Sequence, residues 1–135
     1  MARHVLVVDD DPLIGQYLVD VLDGKGFTVT VARNGKEGLE AARSQRPDLI
    51  LLDVMMPELN GFQVCEALRR DPALEATPVV MLTAMENQKL NELAFEAGAE
   101  VCMTKPFQPD RLINIINLAI DNAARKPPVI KPIAR

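Results

Sequence analysis

The sequence predicts a doubly wound α/β domain built on a five-stranded parallel sheet, and two observations carry that expectation. Short apolar, β-rich runs alternate five times with segments of helical period. The runs are also apolar at consecutive positions, as in VLVV (5–8) and LILL (49–52), instead of at every second one. Strands of that kind are covered on both faces, which is the condition of a parallel sheet between two helical layers. Right-handed crossovers follow from the twist of the strands.

The first strand is expected at residues 4–8 (HVLVV), ending at Asp9, and the second at 27–32. Three more follow at 48–52 (DLILL), 78–82 (PVVML) and 100–104 (EVCMT). Helices are expected between and after them at 12–24, 35–44, 61–70, 87–97 and 109–124. Pro12 suits a first helical turn, where no amide partner is lost, and Gly24, Gly26 and Gly98 fall where helices should stop. In the last helix Leu112, Ile113, Ile116, Ala119 and Ile120 share one face. The pattern ends near residue 123, which sets the expected domain at 1–123. Residues 124–135 then form a basic, proline-rich tail or linker containing RKPPVIKPIAR.

Composition agrees with a single domain. The chain has 135 residues, 48% of them hydrophobic and 25% charged. A chain of this size buries roughly two thirds of its unfolded surface and needs no disulfide staple. Cys65 and Cys102 match no disulfide framework or zinc site, which points to a reducing compartment. No apolar run approaches the roughly 20 residues of a spanning helix, and the start is too short a stretch for a secretory signal. A cytoplasmic location is expected. The formal charge of −4 hides a division, because the last eleven residues hold four bases and no acid. The body is left with 11 basic and 19 acidic residues, a formal charge of −8, which argues against nucleic-acid binding by this domain.

In an open parallel sheet, ligands bind beyond the carboxyl ends of the strands. Those ends carry Asp9-Asp10-Asp11, Asp53, Thr83 and, near the fifth, Lys105. Crowded carboxylates repel unless they are protonated or bridged by a cation, and Mg²⁺ suits a few carboxylates completed by waters and phosphate oxygens. Asp9, Asp10 and Asp53 therefore read as a metal site. A phosphoryl group arriving there would meet the metal, the Lys105 ammonium and the Thr83 hydroxyl, the stabilisers that phosphoryl transfer requires. Asp53 stands alone at its strand end and is the candidate nucleophile. Each residue also has a plain structural reading, as a cap, loop or strand residue; the conjunction at four strand ends favours chemistry.

VLVVDDDPLI (5–14), LILLDVMMPELNG (49–61), VVMLTA (79–84) and GAEVCMTKPF (98–107) together resemble the receiver domain of two-component response regulators, over about residues 3–123. The resemblance implies a chemotaxis-regulator-like fold with the flavodoxin-like strand order 2-1-3-4-5. It implies that Asp53 accepts a phosphoryl group from a histidine kinase or phosphotransfer protein. It further implies that Asp10, Asp53 and the Met55 main-chain carbonyl bind Mg²⁺ directly, Asp9 mainly through water, and that Thr83 and Lys105 contact the phosphoryl group. Asp11 is expected to start the first helix, and a cis Lys105-Pro106 bond is implied. Phosphorylation would then switch dimerisation or docking to a downstream target or output domain. The domain would be no metabolic enzyme, catalysing only its own phosphorylation and the loss of that group.

Cys102 stands where the family usually has an aromatic or histidine, and a small buried hydrophobe is expected there. The switch would then rest on Thr83, the adjoining loop and the fourth helix. Inverting a 1:99 equilibrium takes about 5.5 kcal/mol, the order of two or three charge-assisted hydrogen bonds. Met55 and Met85 offer no group to orient a hydrolytic water, so a long-lived phosphoryl group is expected. Phe95, Phe107 and Ile115 are candidate exposed apolar positions. Two other readings compete: an aspartyl phosphatase of haloacid dehalogenase type, since residues 9–11 contain Asp-x-Asp, and a phosphorylation-independent interaction module.

Overall fold

The computed structural model describes residues 2–84 and 88–125. Five strands and five helices alternate along the chain: β1 (Arg3–Val8), α1 (Pro12–Leu22), β2 (Phe27–Ala32), α2 (Gly35–Gln45), β3 (Leu49–Asp53), α3 (Gly61–Arg70), β4 (Val79–Thr83), α4 (Gln88–Ala97), β5 (Val101–Thr104) and α5 (Pro109–Arg125). The strands form one sheet in the order β2-β1-β3-β4-β5, with every pairing parallel. The expected architecture and strand order are therefore present. The order reverses between β1 and β3, and a crevice opens beyond their carboxyl ends at such a point.

Consecutive apolar residues in the strands serve two cores at once. Leu6, Val8, Ile50, Leu52, Val79 and Met81 face the layer of α2, α3 and α4, where Ala42, Val64, Leu68 and Ala94 meet them. Val5, Val7, Leu49, Leu51, Val80 and Leu82 face the other layer, against Leu18 and Leu22 of α1 and Leu112, Ile116 and Ala119 of α5. Side chains alternate between the faces of a strand, so a sheet covered on both sides needs apolar residues at every position.

The third and fourth strands are displaced by one residue from the expected ranges. Asp53 and Thr83 belong to the ladder, paired with Leu82 and Thr104, whereas Asp48 and Pro78 lie just outside it. Asp48 instead accepts a hydrogen bond from the His4 amide at 2.7 Å. Helix α1 stops at Leu22, ahead of Gly24 at φ +75°. Helix α5 runs to Arg125, and residues 126–135 of the expected tail lie outside the described residues. Of the three apolar residues expected at the surface, Phe95 is exposed, while Phe107 and Ile115 are half-buried. Phe107 packs on Tyr17, with ring centroids 6.1 Å apart. Leu13, Leu93 and Leu118 are exposed leucines that periodicity did not single out.

Leu112 and Leu118 lie on one helix and test the two-layer account. Leu112 is fully buried and Leu118 is 60% exposed. Leu112→Ala should lower stability by about 3 kcal/mol and Leu118→Ala by less than about 0.5 kcal/mol, read from urea denaturation midpoints at unchanged slope.

Candidate functional site

Each group at the crevice is delivered by a strand end and fixed by a local device. The Asp9 amide continues the sheet by donating to Ala32 O at 3.1 Å, which keeps the residue in line with β1. The Asp9 carboxylate accepts from the Asp11 amide at 2.9 Å. Asp11 in turn caps α1, its side chain accepting from the Leu13 amide at 2.9 Å. It is thus the helix-start residue that the sequence suggested. Asp10 lies between these two and is exposed, whereas Asp9 and Asp53 are buried.

One carboxylate oxygen from each of Asp9, Asp10 and Asp53 lies within 4.8 Å of the others. Lys105 enters from beyond β5 and places its Nζ 3.1 Å from Asp9 Oδ2 and 3.4 Å from Asp53 Oδ1. The Lys105-Pro106 bond is cis, as the resemblance implied. Thr83, at the end of β4 beside Asp53, is buried.

Burial pushes the Asp53 carboxyl up to about 6, the neighbouring Asp9 charge adds to the rise, and Lys105 and the Met55 backbone oppose it. One ammonium therefore does not compensate the carboxylates gathered around it. Three hard oxygen donors with a net negative charge fit a small divalent cation that keeps part of its water shell. The acidic cluster is one that could hold a metal ion.

The loop from β3 to α3 closes the crevice. Gly61 donates its amide to Val54 O at 3.0 Å and lies against the β3 backbone. A Cβ at Gly61 would fall 2.5 Å from the Asp53 carbonyl oxygen and 2.9 Å from the Val54 Cα. Asn60 and Gln63 form a capping box at the start of α3. Between them and Asp53, Leu59 N bonds back to Pro57 O at 2.8 Å across Glu58, which adopts φ +66°. That left-handed conformation is strained in a residue with a side chain and costs on the order of 1–3 kcal/mol.

The profile of the response regulator receiver domain matches residues 5–117. The chain belongs to the response regulator receiver family. Over 113 residues this receiver domain is 44% identical to the DNA-binding response regulator MtrA of Mycolicibacterium smegmatis, covering 84% of this chain and 48% of that protein. The chain thus spans about half the length of the curated relatives it matches. Among solved structures, the chemotaxis protein CheY4 of Vibrio cholerae superposes with a TM-score of 0.84 at 32% identity, over 88% of this chain and 99% of that one. The receiver domain of sensor histidine kinase PA1611 from Pseudomonas aeruginosa, described with a magnesium ion coordinated in its active-site cleft, superposes at 0.83 with 28% identity, covering 90% and 99%.

The receiver structure brings Asp9, Asp10, Asp53 and Lys105 together, with Thr83 at the adjacent strand end. Met85 lies outside the described residues, and the Met55 side chain is exposed. Cys102 is half-buried, not enclosed as expected; burial raises its thiol pKa, and both cysteines are free. With Val101, Phe107, Arg111 and Ile115 it lines a cavity of about 490 Å³ beside the edge strand, while it also packs against the core beneath α2, α3 and α4. Sequence reasoning missed the closeness of Gly61 to Asp53; the only signal was a glycine ending the loop after the strand. Among the described residues no helix is long and apolar enough to cross a membrane.

Gly61→Ala should lower stability by about 2 to 3 kcal/mol, because the added methyl meets backbone that cannot yield. Gly24→Ala should cost about 1 kcal/mol, since the strain there is conformational and the space around it is open. Parallel urea denaturations of the two variants check this ordering.

Proposed function

We propose that this chain is a phosphoacceptor module of two-component signalling, with Asp53 as the residue phosphorylated. The observation that carries the reading is the position of Lys105 Nζ, within reach of both Asp9 and Asp53 at the edge of the acidic cluster. A structural ion pair would need one carboxylate for one ammonium. Here the excess negative charge and the buried nucleophile candidate form a site with room for a cation and a transferring group.

With its pKa near 6, Asp53 is predominantly ionised at pH 7 while more basic than an ordinary carboxylate. An Asp53 carboxylate oxygen attacks the phosphorus of a phosphoimidazole donor. A new O–P bond forms, the P–N bond breaks, and the leaving imidazole takes its electron pair and a proton. Lys105 and the Thr83 hydroxyl donate hydrogen bonds to the phosphoryl oxygens, offsetting charge that would otherwise face Asp9. Asp10, Asp53 and the Met55 carbonyl would hold Mg²⁺ directly, with Asp9 acting mainly through water. Support for that role of Asp9 comes from its two existing partners, the Asp11 amide and Lys105. When bound, the cation supplies neutralisation of the phosphoryl oxygens.

The donor is a histidine kinase or phosphotransfer protein, and the phosphorylated form docks to a downstream target or output domain or pairs with a second copy. Exposed Leu13 and Tyr17 on α1, next to the acidic cluster, offer an apolar surface for the donor. The domain comprises residues 1–123 with a basic proline-rich segment after it. Its own catalysis is limited to gaining and losing the phosphoryl group. The phosphatase reading is weakened by Thr83, which occupies a strand end where that fold needs acidic residues.

Incubation with Mg²⁺ and phosphoramidate, followed by intact mass, should add a single phosphoryl group to the wild type and none to Asp53→Asn. Chelation of the metal should abolish labelling. Labelling of Asp53→Asn, or turnover of a phosphate ester with no adduct, contradicts the proposal.

A further inference from the structure

Helix α4 packs lightly on the sheet along its described side chains. Its first turn carries no acidic residue to complement the helix dipole. Among its described side chains the buried ones are Ala94 and Ala97, with Leu90 half-buried and Leu93 and Phe95 exposed. By contrast α3 buries Val64, Cys65 and Leu68, and α5 buries Leu112, Ile116 and Ala119. Alanine removes little apolar surface from water, so packing alone holds α4 weakly.

The far end is pinned by polar contacts instead. Gly98, at φ +102°, donates to Phe95 O, and Ala99 donates to Ala94 O, both at 3.0 Å. This pair of bonds is the glycine-dependent stop that satisfies the last carbonyls of a helix. The Gly98 carbonyl then accepts from Arg69 of α3 through Nε at 2.9 Å and Nη2 at 2.7 Å. The same guanidinium donates to Glu75 O at 3.1 Å and Thr77 O at 2.7 Å in the segment before β4. It also pairs with Glu100 at 3.1 Å, whose carboxylate accepts from the Val79 amide at 2.6 Å. The Arg69 stem fills the space a Cβ at Gly98 would need, with its Cγ 2.8 Å from that position. One side chain thereby ties α3, the segment before β4, the end of α4 and the start of β5.

We propose that Arg69 is an anchor for the C-terminal end of α4, so that displacement of this helix is confined to the end that follows Thr83. The anchor makes α4 a lever with a fixed far end. Perturbation at the Thr83 end tilts or loosens the first turns, while the α4–β5 connection and the register of β5 stay in place. The trigger for that displacement rests on the phosphoacceptor reading; the difference between the two ends does not.

Native-state hydrogen exchange separates the two. In the metal-free wild type, the Gly98 and Ala99 amides should exchange at least about tenfold more slowly than those of Glu92 and Leu93, the reverse of ordinary end fraying. Mg²⁺ with beryllofluoride should alter exchange at Glu92 and Leu93 and leave Gly98 and Ala99 within about twofold. Arg69→Lys keeps the charge but loses the planar fork, and Arg69→Gln loses both. In each the Gly98 and Ala99 amides should accelerate by about tenfold or more, while the Leu51 amide of the central strand, a control for global unfolding, changes far less. Glu100→Gln keeps an acceptor for Val79 and should give a smaller acceleration of the same sign. A wild-type α4 that exchanges evenly, or folded Arg69 variants that keep the end difference, overturns the anchor. Beryllofluoride without effect anywhere, with the end difference intact, counts against the phosphoacceptor reading and supports the anchor.

Discussion

Three clustered carboxylates, two of them paired with one ammonium, are the constraint around which this domain is arranged. Like charges at this spacing are tolerated in a fold only if surrounding structure imposes their positions. Here β1 delivers Asp9 and Asp10, β3 delivers Asp53, and the loop after β5 delivers Lys105. The reversal of strand order between β1 and β3 opens the crevice at that point. The electrostatic consequence has a definite sign. The folded-state pKa of Asp53 lies near 6, against 3.8 for an ordinary aspartate, so its neutral form is favoured by folding. That contribution is fully present below pH 3.8 and is lost as pH rises through about 6. At neutral pH the metal-free domain therefore carries an unfavourable interaction that a bound cation relieves.

Rigidity and looseness are divided among the elements. The two apolar cores hold every strand on both faces, and the short-range devices around Asp53 fix its approach: the capping box of Asn60 and Gln63, the turn across Glu58, and the contact with Gly61. Helix α4 is the exception, since small side chains form its inner face and Arg69 holds its far end. A switch needs an element whose equilibrium can be biased by a few kcal/mol, and a weakly packed helix next to the reacting group meets that requirement.

Much of this was legible in the sequence because two-sided burial leaves a strong imprint. Unbroken apolar runs such as LILL could only be interior parallel strands, and the charged or hydroxylated residue after each run marked the crevice. The limits of β3 and β4 were less legible, because the paired register, and not apolarity, includes Asp53 and Thr83; Asp48 and Pro78 sit one residue before it, though the Asp48 amide still donates to His4 O and Pro78 O still accepts from the Ile50 amide. Nothing in the sequence singles out Arg69, since its acceptors are main-chain carbonyls at residues 75, 77 and 98 that carry no side-chain signature. Glu58 is no left-handed former by type, so its φ is imposed by the loop. Phe107 and Ile115 looked like surface residues until α1 and the cavity beside β5 were placed next to them.

The account's central claim is that carboxylate crowding at Asp53 creates the cation site, and a comparison of folding stability at pH 7 tests it directly. In chelator, Asp53→Asn should be more stable than the wild type by roughly 1–3 kcal/mol, the scale of a two-unit shift discounted for partial solvation. Millimolar Mg²⁺ should stabilise the wild type and leave Asp53→Asn nearly unchanged. An Asp53→Asn protein that is less stable in chelator, or that gains as much from Mg²⁺ as the wild type, would contradict the claim.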